Sequence, residues 1–341
     1  MSMMRRPMRI ALIAAGALAV ACVGYTTYWY SAAREASARL HLWAEERRVD
    51  GWAVELGKPS VTGFPLRLDL SVHAPIIAGR GNKWRWEIPN FVASARPWAL
   101  TDIRISFPGS HRLEINGMMA VLNLAHADGD LKIRSGKARL LLLRLAGVNW
   151  MQPGGITTSI DRLTLRAEDA VSINPRSGNP MTGKVIAVDA RKVVLPKVWK
   201  PPVGSGLDRL SFDASVIGPL ELSGLLPEAL SRWNDAGGAI EFKSFTLNWE
   251  ALSLRGDGAL SLDDKLQPQG AITVEIRGIK EILDTLMASG VIDARTAFAA
   301  KVANRALSIG GRAVRLPVSL KNQRLYLGPV PLFRLKKIRW K

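Results

Sequence analysis

The spacing of apolar residues divides the chain into three regimes. From Ile10 to Tyr30 apolar positions run on with only small or weakly polar interruptions and no charge. About 21 residues at roughly 1.5 Å each make a helix of about 30 Å, the thickness of a bilayer's hydrocarbon core. From Arg34 to Arg48 the stretch REASARLHLWAEERR mixes charges with good helix formers and lacks Pro and Gly, so it extends the helix as a polar stalk that Gly51 ends. Beyond Gly51 the period falls to two. Examples are Trp52-Ala-Val54-Glu-Leu56, Leu66-Arg-Leu68-Asp-Leu70-Ser-Val72, Ile103-Arg-Ile105-Ser-Phe107, Leu210-Ser-Phe212-Asp-Ala214-Ser-Val216 and Val314-Arg-Leu316-Pro-Val318-Ser-Leu320. Such alternation marks strands with one buried and one wet face.

The fold this predicts is mainly β, of the α+β kind: curved antiparallel sheet or sheets with a few covering helices, preceded by one transmembrane helix. Phe242 and Phe245 fall on either side of a phase slip at Lys243-Ser244, which reads as a β-bulge. Gly256-Asp257-Gly258 and Asp128-Gly129 read as tight hairpins. Helical spacing appears at Ile279, Ile282, Leu283, Leu286 and Met287, with Gly290 as a C-terminal cap. Asp293 caps a second helix running towards Leu307, and Pro227 opens a short one through Trp233. Residues 147–155, 174–183 and 196–206 read as loops. Residues 1–9 are then cytoplasmic, 10–30 the transmembrane anchor, 31–50 the stalk, 51–332 a β-rich periplasmic body and 333–341 a basic tail. A boundary between two subdomains near 175–206 stays open.

The orientation follows from charge and aromatics. Arg5, Arg6 and Arg9 precede the apolar run and hold the N-terminus in the cytoplasm, while Tyr28, Trp29 and Tyr30 sit at the far end, where amphipathic rings favour the headgroup layer. A cleaved signal peptide ending at Ala19-Val20-Ala21 is the competing reading. Cys22 makes a poor lipoprotein site, because Leu18 is displaced from the position three residues ahead of it.

Composition narrows the partners. The 341 residues are 48% hydrophobic, enough for a sizeable core, and carry 47 Lys and Arg against 29 Asp and Glu, a formal charge of +18. That charge draws the protein to anionic surfaces, and its spread along nearly every segment argues for membrane lipids over nucleic acid. Cys22, inside the apolar run, is the single thiol, so neither an intramolecular disulfide nor thiol chemistry in the body is available.

Gly63-Phe64-Pro65-Leu66-Arg67, then Arg96-Pro97-Trp98, then the closing Leu327-Gly328-Pro329-Val330-Pro331, all behind an N-terminal anchor, resemble the uncharacterised bacterial envelope family known as domain-of-unknown-function family 2125. The resemblance spans roughly Tyr25 to the C-terminus and implies no catalytic residues. Residues 238–292 are more loosely similar to AsmA-like envelope proteins, in the order strand, hairpin, strand, amphipathic helix. That likeness implies lipid handling, by analogy of fold alone.

Candidate chemistry is sparse. His41, His73, His111 and His126 show no metal-ligand spacing, and the acids of His126-Ala-Asp128-Gly-Asp130 are explained by a turn. Gly204-Ser205-Gly206 lacks the frame of a nucleophile elbow, and no glycine run ends as a P-loop does. No catalytic residue, cofactor or metal is expected, and the chain does not read as an enzyme. Gly63 and Pro65 read as structural, aiming Phe64 inward with Arg67 following; Trp84, Trp86 and Ile88 read as a core face. In the tail, Arg334, Lys336, Lys337, Arg339 and Trp340 alternate with apolar residues without an acid, which suits either an anionic membrane surface or a guarded edge strand. Two functions compete. One is a lipid-binding or lipid-transferring envelope protein, with acyl chains on an apolar concave sheet face and phosphates on a basic rim. The other is a non-catalytic scaffold that binds other envelope proteins through a sheet edge.

Overall fold

A computed structural model describes residues 5–173, 178–199, 201, 203–220, 226–288, 290, 293–295, 297–298, 301–302 and 315–340. One helix, α1 (Arg5–Val49), holds both the apolar run and the polar stretch. The side chains of Arg5, Arg6 and Arg9 lie outside the described set. Among described residues α1 is the one helix long and apolar enough to cross a membrane, with mean hydropathy 1.9 in its best window. Its polar half is not a free stalk. Ala44 is fully buried, Arg48 donates to the Val54 carbonyl through Nε at 3.0 Å, and Arg80 donates to the Asp50 carbonyl. Gly51, at φ +83, ends the helix as expected.

The described strands form a single sheet in which every pairing is antiparallel. It begins as a fork. On one prong β1 (Ala53–Glu55) pairs with β4 (Ile76–Ala78), β4 with β5 (Trp84–Glu87) and β5 with β8 (Gly109–Ile115). On the other, β2 (Ser60–Thr62) pairs with β3 (Leu68–His73), β3 with β6 (Asn90–Arg96) and β6 with β7 (Ala99–Ser106). The prongs meet on β9 (Met118–Arg134), whose first half takes β8 and whose second half takes β7. From β9 the chain meanders through β10 (Lys137–Gln152), β11 (Ile156–Ile173), β12 (Pro180–Val194), β13 (Gly206–Ile217), β14 (Ala239–Trp249), β15 (Leu252–Leu262), β16 (Pro268–Arg277), β17 (Arg315–Lys321), β18 (Arg324–Leu327) and β19 (Val330–Arg334). Residues 175–206 contain β12, which pairs on both sides, so one sheet crosses that stretch.

Ladder partners share a face. One face is apolar from end to end, as in the row Leu143, Leu165, Val188, Phe212, Phe245, Gly256, Val274, Leu316. The other carries rows such as Asp128, Arg144, Thr164, Asp189, Ser211, Thr246. Five consecutive strands each hold one extra residue at the same level. Ala125, Gly147, Asp161, Lys192 and Asp208 are skipped by the ladders while the register on either side is kept. The apolar spacing there is three, not two, so Leu124 and Ala127, or Ala190 and Val193, are buried together. Gly147 and Lys192 take positive φ at +60 and +51. This line of extra residues creases the sheet. Cα atoms of β11 and β13, two strands apart, come within 8 Å, where a flat sheet would hold them about 9.6 Å apart.

Both ends of the apolar face are closed. Near the fork Ile88, Phe107, Leu124, Ala127 and Val148 are buried with Trp86 and Phe91 against them, which makes the Trp86 face core. At the other end Leu283 of α3 (Ile279–Ala288) and Ala297 cover Val274 and Leu316. The helix α2 (Leu226–Asp235) starts at the Pro227 position and donates Trp233 Nε1–H to the Ile217 carbonyl at 2.8 Å. Gly290 takes φ +71, in keeping with its cap role, and the slip at Lys243-Ser244 is a register shift. Most of the helix expected from Asp293 to Leu307, and residues 174–177 of an expected loop, lie outside the described residues.

Several expectations need correcting. Asp128-Gly129 and Gly256-Asp257-Gly258 are not hairpins; they lie inside the continuous strands β9 and β15. Their glycines answer close approach. A Cβ on Gly129 would stand 2.6 Å from the Leu142 carbonyl oxygen, and one on Gly256 2.1 Å from that of Thr273. Residues 147–152 belong to β10, not a loop, and Arg334 belongs to β19, paired with Arg324, not to the tail.

Candidate functional site

The site begins where the aromatic end of α1 meets the body. Arg67 N–H donates to the Gly63 carbonyl at 2.9 Å, closing the turn ahead of β3, and Gly63 takes φ +97 where a Cβ would meet the Arg67 carbonyl oxygen at 2.9 Å. The Phe64–Pro65 bond is cis. This turn docks on the helix: Trp29 Nε1–H donates to the Arg67 carbonyl at 2.9 Å, and the Tyr25 hydroxyl donates to the Pro65 carbonyl. The Tyr28 hydroxyl donates to the carbonyl of buried Pro97 at 2.5 Å, binding the Arg96-Pro97-Trp98 turn to the same helix.

Two expected roles change here. Trp29 is only 3% exposed, packed with Ala33 and Leu68, so its ring contacts the body and not lipid. Phe64 is not aimed inward. It sits at the surface, edge-on to Trp29 with centroids 5.5 Å apart and stacked on Tyr30 at 6.2 Å. Tyr28 and Tyr30 stay about half exposed, at the level where the membrane-length segment ends.

Beside these turns opens a cleft of about 810 Å³. Its floor is the polar face of β7, β9 and β10, where Asp102 pairs with Lys132 and Arg104 with Asp130 in register, and Leu140 and Leu142 follow on β10. Leu66, Arg67, Arg96 and Trp98 form its lip. Leu66 and Trp98 are 64% and 63% exposed. Asp130 accepts from Arg144 at 2.7 Å, and Arg144, also bound to Asp128 at 2.9 Å, is held more firmly protonated by those bonds, that to Asp130 foremost. Arg67 pairs with Asp69 at 2.9 Å. Arg96 and Lys132 have no ion-pair partner among the described residues. A smaller hollow of about 280 Å³, over Arg166, Asp189, Arg209 and Ser244, shares Leu142 with the first.

The cavity therefore lies on the polar face near the anchor, not on the apolar concave face where acyl chains were expected. Sequence reasoning singled out Arg67 as part of a structural motif, and Arg96 and Trp98 as part of the family resemblance, without giving any of them a cleft to line, and it missed Lys132, Leu140 and Leu142. One signal was available: Leu140-Leu-Leu-Leu143 is apolar on both faces of a strand whose neighbours alternate.

Among the other candidates, His111 is fully buried, its Nε2 2.9 Å from the Phe107 carbonyl oxygen and its Nδ1 3.3 Å from Trp86 Nε1. If Trp86 donates to Nδ1, the neutral ring donates from Nε2, and burial lowers its pKa from the usual 6.5. That is a structural histidine at the fork. No group of three or more His, Cys, Asp or Glu among the described residues is arranged to hold a metal. The tail is fixed to the body: Ile338 N–H donates to Gln267 Oε1 at 2.8 Å, Gln267 Nε2 to the Ile338 carbonyl at 3.1 Å, and Trp340 Nε1–H to the Leu266 carbonyl at 2.7 Å. Lys336, Lys337 and Arg339 project outward.

A helix long and apolar enough to cross a membrane, bound through its aromatic end to a forked, creased β-sheet, defines a β-sheet protein with an N-terminal helix compatible with a membrane anchor. The chain belongs to the family described as "Uncharacterized protein conserved in bacteria (DUF2125)", which it matches over residues 29–336. No curated protein and no solved structure matches it. The AsmA-like likeness over 238–292 gains no support from these comparisons, and the hairpin it relied on is absent.

Proposed function

We propose that this protein is a single-pass protein of the bacterial inner membrane, with its body in the periplasm, that binds lipid at the surface of the bilayer its anchor crosses and catalyses no reaction. The observation that carries this reading is the docking of the Gly63–Arg67 and Arg96–Trp98 turns on Tyr25, Tyr28 and Trp29. It holds the mouth of the cleft beside the aromatic end of the helix, and rings of this kind favour the headgroup layer. The leading arginines support the orientation. A photoreactive residue replacing Leu142 in cells is expected to crosslink lipid, while one replacing Ser253, on the same face but far along the meander, is not. Absence of lipid adducts at Leu142 removes the reading. A scaffolding role is supported by a different observation: β2 and β19 each pair with one strand only among the described residues, which leaves a strand edge for a partner.

A further inference from the structure

Resting on that reading, we infer that the cleft is a headgroup clamp for an anionic, phosphate-bearing lipid, gripped by Arg96 and Lys132, whose acyl chains remain in the bilayer. Charge is the first argument. Four cations, Arg67, Arg96, Arg104 and Lys132, line the cleft with two carboxylates, Asp102 and Asp130. Asp130 is engaged by Arg144, Arg67 by Asp69, and Arg104 lies 3.9 Å from Asp130. Arg96 and Lys132 are left facing one cavity without an ion pair among the described residues; Asp102, the ladder partner of Lys132, is the one unengaged carboxylate there, so the cleft keeps an excess of positive charge that a phosphate would neutralise.

The floor is the second argument. The outward face of the meander is a ladder of charged and hydroxylated side chains, yet Leu140 and Leu142 stand on it, and both line the cleft. Their burial serves no core on that side. With Leu66 and Trp98 on the lip they give apolar contact to the first carbons beyond a headgroup.

Position is the third. The lip of the cleft is hydrogen-bonded through Pro65, Arg67 and Pro97 to the aromatic end of the helix, directly after the segment long and apolar enough to cross a bilayer, so a headgroup held at the lip leaves its chains beside that segment.

The test uses the full chain in mild detergent with equal amounts of phosphatidylglycerol and phosphatidylcholine, with bound lipid read by native mass spectrometry. The parent is expected to retain the anionic lipid by about tenfold or more over the neutral one, the scale set by two cations near a phosphate. Arg96→Gln with Lys132→Gln should bring that ratio close to one while lipid is still retained. Arg96→Lys with Lys132→Arg should preserve it, as should the distant pair Arg162→Gln with Arg255→Gln. Equal retention of the two lipids by the parent, or an unchanged ratio in the Gln pair, overturns the clamp but leaves lipid binding standing. Retention of no lipid by the parent overturns both. Millimolar glycerol phosphate serves as the soluble probe: if it binds the parent through Arg96 and Lys132 while phosphatidylglycerol is not enriched, the site serves a free phosphate and the lipid inference falls.

Discussion

Trp29 joins anchor to body, and removing it should loosen the turn that walls the cleft. Its side chain is almost wholly buried, its Nε1–H donates to the Arg67 carbonyl at 2.9 Å, and its ring stands edge-on to Phe64 and Tyr30 with centroids 5.5 and 5.2 Å away. Replacing a buried Trp by Ala costs about 3–5 kcal/mol in a core. Because this contact lies at the edge of the body, the lower end, about 3 kcal/mol, applies to local undocking of the Gly63–Arg67 turn and β3. Trp29→Phe keeps most of the area and one aromatic pair but removes the donor, at about 1 kcal/mol. Since 1.4 kcal/mol is about a factor of ten, amide hydrogen exchange across 66–73 should quicken about a hundredfold in Trp29→Ala and about fivefold in Trp29→Phe. Exchange across β14 and β15, which do not touch α1, should not change. The measurement is exchange followed by mass spectrometry on the full chain in lipid discs. Parent-like protection in Trp29→Ala would refute the docking, and equal effects of the two variants would refute the part assigned to the indole N–H.

Three further outcomes are expected. In a Cys22→Ser background, an impermeant thiol reagent added outside spheroplasts should label a cysteine at exposed Lys265 but not one at Ser2; the reverse would overturn the orientation. Lys265 serves better than neighbouring Asp263, whose carboxylate accepts from the Lys265 and Gln267 N–H groups at 2.8 and 2.7 Å and orders the turn. If the tail touches anionic lipid, exchange across 335–340 should be slower in anionic than in neutral discs, and Lys336→Gln/Lys337→Gln/Arg339→Gln or raised salt should erase the difference; equal exchange in both discs leaves edge guarding as its role. His111 has a folded pKa below its unfolded value near 6.5, so the unfolded chain binds its proton first and stability falls as pH drops through about 6.5, by at most about 1.4 kcal/mol per pH unit. Urea midpoints at pH 7.5 and 5.5 should show a smaller drop for His111→Gln than for the parent, and an equal or larger one would contradict this.

The sequence disclosed the fold wherever one residue's environment is set by its own strand. The long apolar N-terminal helix, the period-two runs and the slip at Lys243-Ser244 are such cases. Turn signals misled at Asp128-Gly129 and Gly256-Asp257-Gly258, because glycine before or after an aspartate serves a tight turn and a close strand approach equally well. In both places the backbone of the next strand stands where a Cβ would be. The crease was written as a spacing of three between Leu124 and Ala127, Leu145 and Val148, Ile160 and Leu163, Ala190 and Val193, and Leu207 and Leu210. A single such slip resembles noise; only the ladder shows that five fall on one line. The cleft was less legible still, since its lip comes from two turns about thirty residues apart and its floor from three strands.

Two of the three short motifs on which the family resemblance was read meet at one place, and this bears on what the body can do. Gly63–Arg67 and Arg96–Trp98 both hydrogen-bond to one turn and a half of helix at Tyr25–Trp29, and some twenty residues further on Arg48 and Asp50 bind the body again. With β1, β2 and β3 all touching α1, the helix is a spine fastened near both ends of its polar half and not a tether. On the reading proposed above, a body held this way presents its cleft at one depth and one orientation, and is suited to recognising a headgroup that diffuses to it in the plane of the membrane. Carrying a lipid away from the bilayer would require breaking the Trp29 contact or handing the lipid to a partner, so a transfer function, if the protein has one, must show itself in variants that loosen that contact.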